Sequence, residues 1–161
     1  MYLDVRSRPE YAEGHAAGAY NIPFLNKTPQ GMIPNQDFRR VVQDVFPDKA
    51  AKIVVACQMG GRSARASREL ENMGYTNILD LKGGYGSEKD DDGEIKNIGW
   101  KDAGYAVETG EAAGRGYTSL SGEQTEEEAK PAEEVEAAAE APSDPSINRF
   151  ASDKRKVTCV K

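Results

Sequence analysis

A run of four apolar residues, Ile53-Val54-Val55-Ala56, ends on a cysteine, and that cysteine opens the loop Cys57-Gln58-Met59-Gly60-Gly61-Arg62-Ser63, with a helical pattern directly behind it. β-Branched residues with no polar alternation predict a strand buried on both faces, as strands inside parallel sheets are. Sheets of that kind bind ligands beyond the carboxyl ends of their strands. Cys57 therefore falls at a ligand-binding position by sequence order alone. The loop amides and the start of the following helix point positive potential toward an anion. Such a setting favours the thiolate, the nucleophilic form of cysteine.

The surrounding segments alternate in type. Leu3-Asp4-Val5-Arg6 reads as a short strand. Ser7-Arg8-Pro9-Glu10 then starts a helix, with Ser7 and Glu10 spaced as a capping box and Pro9 in the first turn. Gly14 ends it, and Ala19 to Pro23 is extended because Pro23 biases Ile22 away from helix. Thr28 to Asn35 reads as a Pro- and Gly-rich loop. Between Asp37 and Phe46, Phe38, Val41, Val42, Val45 and Phe46 repeat at i, i+3, i+4, i+7 and i+8, which predicts a helix packed on a sheet. Ser63 is the expected N-cap of the next helix, running to Met73 with Gly74 just past its end. Asn77 to Leu81 is another strand. Strand, helix, strand, helix, strand predicts an α/β fold with a mainly parallel central sheet.

Composition bounds what else the chain can do. A net charge of −6 over 161 residues gives no general affinity for nucleic acid. No apolar run approaches the roughly 18 residues that span a membrane. The chain's two cysteines form no disulfide framework, and no Cys/His cluster suggests zinc. No cofactor is called for, and a reducing compartment, the cytoplasm, is the expected location. Residues 86–99 form an acidic insertion around Glu88-Lys89-Asp90-Asp91-Asp92-Gly93-Glu94. Its register does not match an EF-hand calcium loop, so a solvated insertion is expected. From 119 to 161 the chain turns to Glu, Ala, Pro and Ser and then to a basic end carrying Cys159. That stretch has too little apolar surface to offset its ordering entropy and is expected to be a disordered tail, acidic then basic.

Three stretches carry a family resemblance. They are Leu3-Asp4-Val5-Arg6 with Glu10-Tyr11, Gly14-His15, Gly18-Ala19 and Asn21-Ile22-Pro23; Cys57-x-x-Gly60-x-Arg62-Ser63; and Leu81-x-Gly83-Gly84-Tyr85. In that order the chain resembles the rhodanese family of single-domain sulfurtransferases. The resemblance implies a rhodanese-like three-layer fold over residues 1–118. Ala16 departs from the family's branched apolar residue, and Trp100, beyond the insertion, replaces a tryptophan usually nearer the double glycine. The family has a further strand and helix before the first stretch. Here either the chain is a fragment, or its start is wrongly assigned, or the sheet is short by one element, and in each case an unpaired edge open to association is expected.

The resemblance also implies a chemistry. Cys57 attacks the outer sulfur of a donor such as thiosulfate, holds it as a persulfide, and gives it to cyanide, a small thiol or a dithiol protein. Gln58, Met59, Gly60, Gly61, Arg62 and Ser63 would form the substrate cradle: their amides face the sulfur, and Arg62 binds the donor's sulfonate. His15 is expected to pack and hydrogen-bond rather than act as a base. Asp4 and Arg6 are expected to pair internally, and Arg65 to lie on a solvated face of its helix, with the border of the pocket mouth as the alternative. Two rivals stand against this. A cysteine phosphatase or arsenate reductase would separate its cysteine and arginine by five residues, whereas four stand between Cys57 and Arg62. A non-catalytic rhodanese-like binding module would need no cysteine. Cys159 could relay sulfur from Cys57, although an ordinary exposed thiol is the simpler reading.

Overall fold

The computed structural model describes residues 1–122. The elements run β1 (Tyr2–Asp4), α1 (Arg8–Glu13), β2 (His15–Ala16), β3 (Tyr20–Asn21), β4 (Leu25–Thr28), β5 (Gly31–Pro34), α2 (Phe38–Val45), β6 (Ile53–Ala56), α3 (Gly61–Asn72), β7 (Ile78–Asp80), β8 (Glu88–Lys89), β9 (Ile95–Asn97), β10 (Val107–Glu108) and α4 (Tyr117–Ser121). A four-stranded sheet, order β3-β1-β6-β7, forms the centre, and every pairing in it is parallel. The expected α/β class with a parallel central sheet is thus the observed one.

Alternation along the strands splits the interior in two. Leu3 of β1 and Val5 just beyond it, with Ile53, Val55 and Cys57, point to the face covered by α2 and α3. There they meet Phe38, Val41, Val42, Phe46, Ala66 and Leu70, the stripe that the helical period picks out. A smaller cluster of Tyr11, Ala16 and Ala19 gathers Tyr2 and Trp100. Tyr2 has the opposite parity to Leu3, so this cluster lies on the other face of the sheet. The β6 strand sits inside the sheet between β1 and β7, so Cys57 follows the carboxyl end of a strand paired on both sides.

Several local expectations change. Thr28 to Asn35 is not a loop: β4 and β5 form an antiparallel hairpin from Leu25↔Pro34 to Thr28↔Gly31. Its prolines sit in the turn and at the strand end, and Gly31 takes φ +120° at the bend. The cap of α3 is Gly60, not Ser63; Ser63 lies in the first turn, and its hydroxyl donates to the Gly60 carbonyl (3.0 Å). The acidic insertion is a short antiparallel hairpin, β8 with β9, whose tip from 90 to 94 is exposed. Asp90 accepts from the Asp92 and Glu94 amides there, so its carboxylate is spent on its own turn. Trp100 stacks edge-on with Tyr2 (5.1 Å between centroids) and leans on Tyr105 (4.7 Å), anchoring the chain as it returns. The expected tail, residues 119–161, begins within α4, where Leu120 packs on the main cluster; residues 123–161, with Cys159, lie outside the described residues. Among the described residues no helix is long and apolar enough to cross a membrane.

Candidate active site

Cys57 is the first residue beyond β6 and is 2% exposed. Its side chain touches the core on one side and lines a cavity of about 300 Å³ on the other, with Gln58, Met59, Gly61, Arg62 and Arg65. Gly60 sets the geometry. At φ +104° it turns the chain sharply, and its N–H donates to Cys57 Sγ at 3.1 Å. Of the loop amides expected to face the sulfur, this is the one in hydrogen-bond reach. Gly61, Arg62 and Ser63 form the first turn of α3, so their N–H groups have no intrahelical acceptor and leave positive potential at the mouth.

The loop is held from below by the double-glycine segment. Tyr85 donates its N–H to the Cys57 carbonyl (2.7 Å) and Gly86 to the Gln58 carbonyl (3.0 Å). A Cβ at Gly84 would collide with the Cys57 carbonyl, and one at Gly60 with the Lys82 carbonyl. The third sequence motif is thus a close-approach device: glycine lets two backbones touch where any side chain would push the cysteine loop outward.

Charge around the loop is arranged in two layers. Buried Asp4 and Arg6 pair at 2.7 Å, as the sequence implies. Arg6 also donates to the Gly14 carbonyl (2.7 Å) and to Gln58 Oε1 (3.2 Å), and its guanidinium lies 4.1 Å from the Tyr85 ring centre. The Gln58 side chain is therefore anchored by a buried cation while it lines the cavity. Nearer the surface, Arg62 binds Glu10 through two hydrogen bonds of 2.6 and 2.7 Å. Glu10 also accepts from the Ser7 amide (3.0 Å) and the Ser7 hydroxyl. Burial pushes the Glu10 carboxyl up, but the hydrogen bonds from Arg62 and Ser7 outweigh it and hold it down at about 2. Arg62, expected to bind the donor's sulfonate, also has a carboxylate partner in Glu10. Arg65 is exposed, as expected of a solvated helix face, and also lines the cavity, the alternative the sequence left open; no carboxylate pairs with it among the described residues.

Of the cradle residues read from the sequence, Gln58, Met59, Gly61 and Arg62 line the cavity with Cys57, Gly60 reaches the sulfur through its amide, and Ser63 is buried beneath the turn. His15 is fully buried, stacked on Tyr11 at 3.6 Å, with Nδ1 2.9 Å from the Tyr11 carbonyl, a packing role. The partnership of Glu10 with Arg62 was not legible, because 52 residues separate the two. Arg65 had a signal: it stands three residues after Arg62, on the same helical face.

A family model for the rhodanese-like domain matches residues 1–89. The chain belongs to the rhodanese family. It is similar to thiosulfate sulfurtransferase 16, chloroplastic, of Arabidopsis thaliana, with 44% identity over 52% of this chain and 69% of that one. It is 37% identical to thiosulfate sulfurtransferase 18 of the same plant, over 69% of this chain and 74% of that one. Protein HIGH ARSENIC CONTENT 1, mitochondrial, also from Arabidopsis, is 39% identical over 65% of this chain, which spans about half (54%) of that relative. Among solved structures, Rv0390 from M. tuberculosis superposes with a TM-score of 0.53 at 19% identity, over 68% of this chain and 84% of that one. The rhodanese-like domain of Alr3790 from Anabaena gives 0.50 at 24% identity, over 67% and 79%. These two likenesses bear on the fold: the rhodanese arrangement is present, with the cysteine loop joining β6 to α3.

Proposed function

We propose that this rhodanese-family protein is a sulfurtransferase that carries a sulfane sulfur on Cys57. The observation that supports it most is the Gly60 amide held 3.1 Å from Sγ at the mouth of a cationic cavity. An amide so placed stabilises negative charge on sulfur both before and after a sulfur atom is added.

The Cys57 thiolate attacks the outer sulfur of thiosulfate. The S–S bond of the donor breaks, and sulfite departs with the bonding electron pair. Cys57 is left as a persulfide, its charge spread toward the loop amides and the start of α3. A second thiophile, either cyanide or a thiol, then removes the outer sulfur and restores the thiolate. The partition into two half-reactions makes the kinetics ping-pong. Arg65, with no carboxylate partner, takes the donor's sulfonate. Arg62 fastens the outer turn of the loop to α1 through Glu10. No step needs a metal or a cofactor.

Initial rates with thiosulfate and cyanide test this. Parallel double-reciprocal lines are expected, and Cys57→Ala should lose essentially all turnover. Faster turnover of an aryl phosphate than of thiosulfate, or full turnover by the Cys57→Ala variant, would contradict the reading.

A further inference from the structure

Arg65 belongs to two cavities. Besides the Cys57 cavity it lines a larger cleft of about 500 Å³, walled by Phe24, Leu25, Pro34 and Phe38 on the apolar side and by Arg39 on α2 and Glu69 on α3. Arg62, Arg65 and Glu69 stand at i, i+3 and i+7 on one face of α3. The cleft therefore leads away from Cys57 along the helix. At 1.5 Å per residue, Arg65 lies about 4.5 Å and Glu69 about 10.5 Å beyond Arg62. Arg39 pairs with Glu69, which leaves Arg65 as the cleft's cation without a carboxylate partner among the described residues.

Thiosulfate has no use for this second space. The acceptor does. Once Cys57 is a persulfide, the sulfur to be removed stands about 2 Å beyond Sγ, one S–S bond nearer the mouth. An attacking thiol must come from outside it, where Arg65 and the cleft begin. The order met along that path is persulfide, cation, apolar wall.

Resting on the sulfur-transfer reading, we propose that the cleft is the acceptor subsite, and that it selects a thiol bearing a carboxylate close to its sulfur and an apolar group beyond. The carboxylate sits on Arg65, and the apolar group lies against Phe24, Leu25 and Pro34. The acceptor thiolate attacks the outer persulfide sulfur. The bond from that sulfur to Cys57 Sγ breaks, its electron pair returns to Cys57 as thiolate, and the acceptor leaves as a persulfide.

N-acylcysteines match this order and differ little in the reactivity of their sulfur. With thiosulfate as donor, N-benzoylcysteine should exceed N-acetylcysteine about tenfold in acceptor kcat/KM, the effect of burying a ring. Leu25→Asp should bring that ratio near one, and Pro34→Glu, at an exposed position, should lower it also should the first variant not fold. Arg65→Gln should erase the preference for N-benzoylcysteine over its amide. N-benzoylalanine, which lacks the thiol, should inhibit competitively against the acceptor, and Leu25→Asp should weaken that inhibition. Equal rates for the two acyl groups, ratios untouched by both cleft variants, or N-benzoylalanine that fails to compete with the acceptor would each overturn the subsite. A chain that takes up no sulfur from thiosulfate would instead overturn the sulfur-transfer reading, and the acceptor assignment with it.

Discussion

Gly60 adopts φ +104°, and a Cβ there would strike the Lys82 carbonyl. Gly60→Ala should therefore cost about 1–3 kcal/mol of stability by denaturant titration, and swing the amide off the sulfur. Turnover should fall at least tenfold in the folded fraction. Glu10 gives a second test, through pH. Its carboxyl ordinarily titrates at 4.5 and is held at about 2 in the fold. A group depressed on folding stabilises above its unfolded value and loses that contribution as pH falls through its folded value. The contribution is present above pH 5, reaches up to about 3 kcal/mol, and disappears toward pH 2. Glu10→Gln should be less stable than the parent at pH 7, with the gap closing between pH 5 and 2 in urea titrations. A constant gap would mean that the Glu10–Arg62 pair contributes nothing ionic. At this scale the sequence disclosed the cysteine at the cavity and the buried Asp4–Arg6 pair, because both lie inside short motifs. It concealed Glu10 as the partner of Arg62, since a capping-box glutamate already has a local explanation.

Elements were legible where one periodicity ruled. The α2 stripe and the β6 run each carry a pattern that only one element satisfies, and both form as expected. The β4–β5 hairpin escaped because its four-residue strands carry Pro34 and Gly31, residues that ordinarily mark loops, and β5 is exposed along its whole length, which erases alternation. The start of α3 shifted for a chemical reason. A serine cap at Ser63 would have freed the loop, whereas a left-handed Gly60 closes it on the sulfur. The β8–β9 hairpin is pinned at its base, where Ser87 accepts from the Gly99 amide (2.8 Å) and donates to Asp102. Its exposed tip does not reach the Cys57 cavity. Replacing residues 90–94 by Asn-Gly should change unfolding free energy by less than about 0.5 kcal/mol, as surface changes do. A loss of several kcal/mol would show the tip to be structural.

Across the whole molecule, the central sheet has two edges, and β7 forms one of them. Among the described residues no strand pairs with its outer side, and Leu79 on it is 48% exposed. Unpaired parallel edges with apolar side chains invite strand addition. Sedimentation velocity of the full chain should show association rising with concentration, and Leu79→Lys should reduce it; a concentration-independent monomer would remove the point. The order of motifs disclosed this architecture better than any single residue did. The Leu3-Asp4-Val5-Arg6 motif, the cysteine loop and the double glycine lie far apart in sequence, yet they meet because β1 and β7 flank β6 and the glycines tuck beneath its end. The central claim, that this meeting point holds a sulfur atom covalently, has a direct test. Intact mass after thiosulfate treatment should rise by about 32 Da, one sulfur. Peptide mapping should place the added sulfur on Cys57, and cyanide should remove it. An unchanged mass, or a gain that survives Cys57→Ala, would contradict the account.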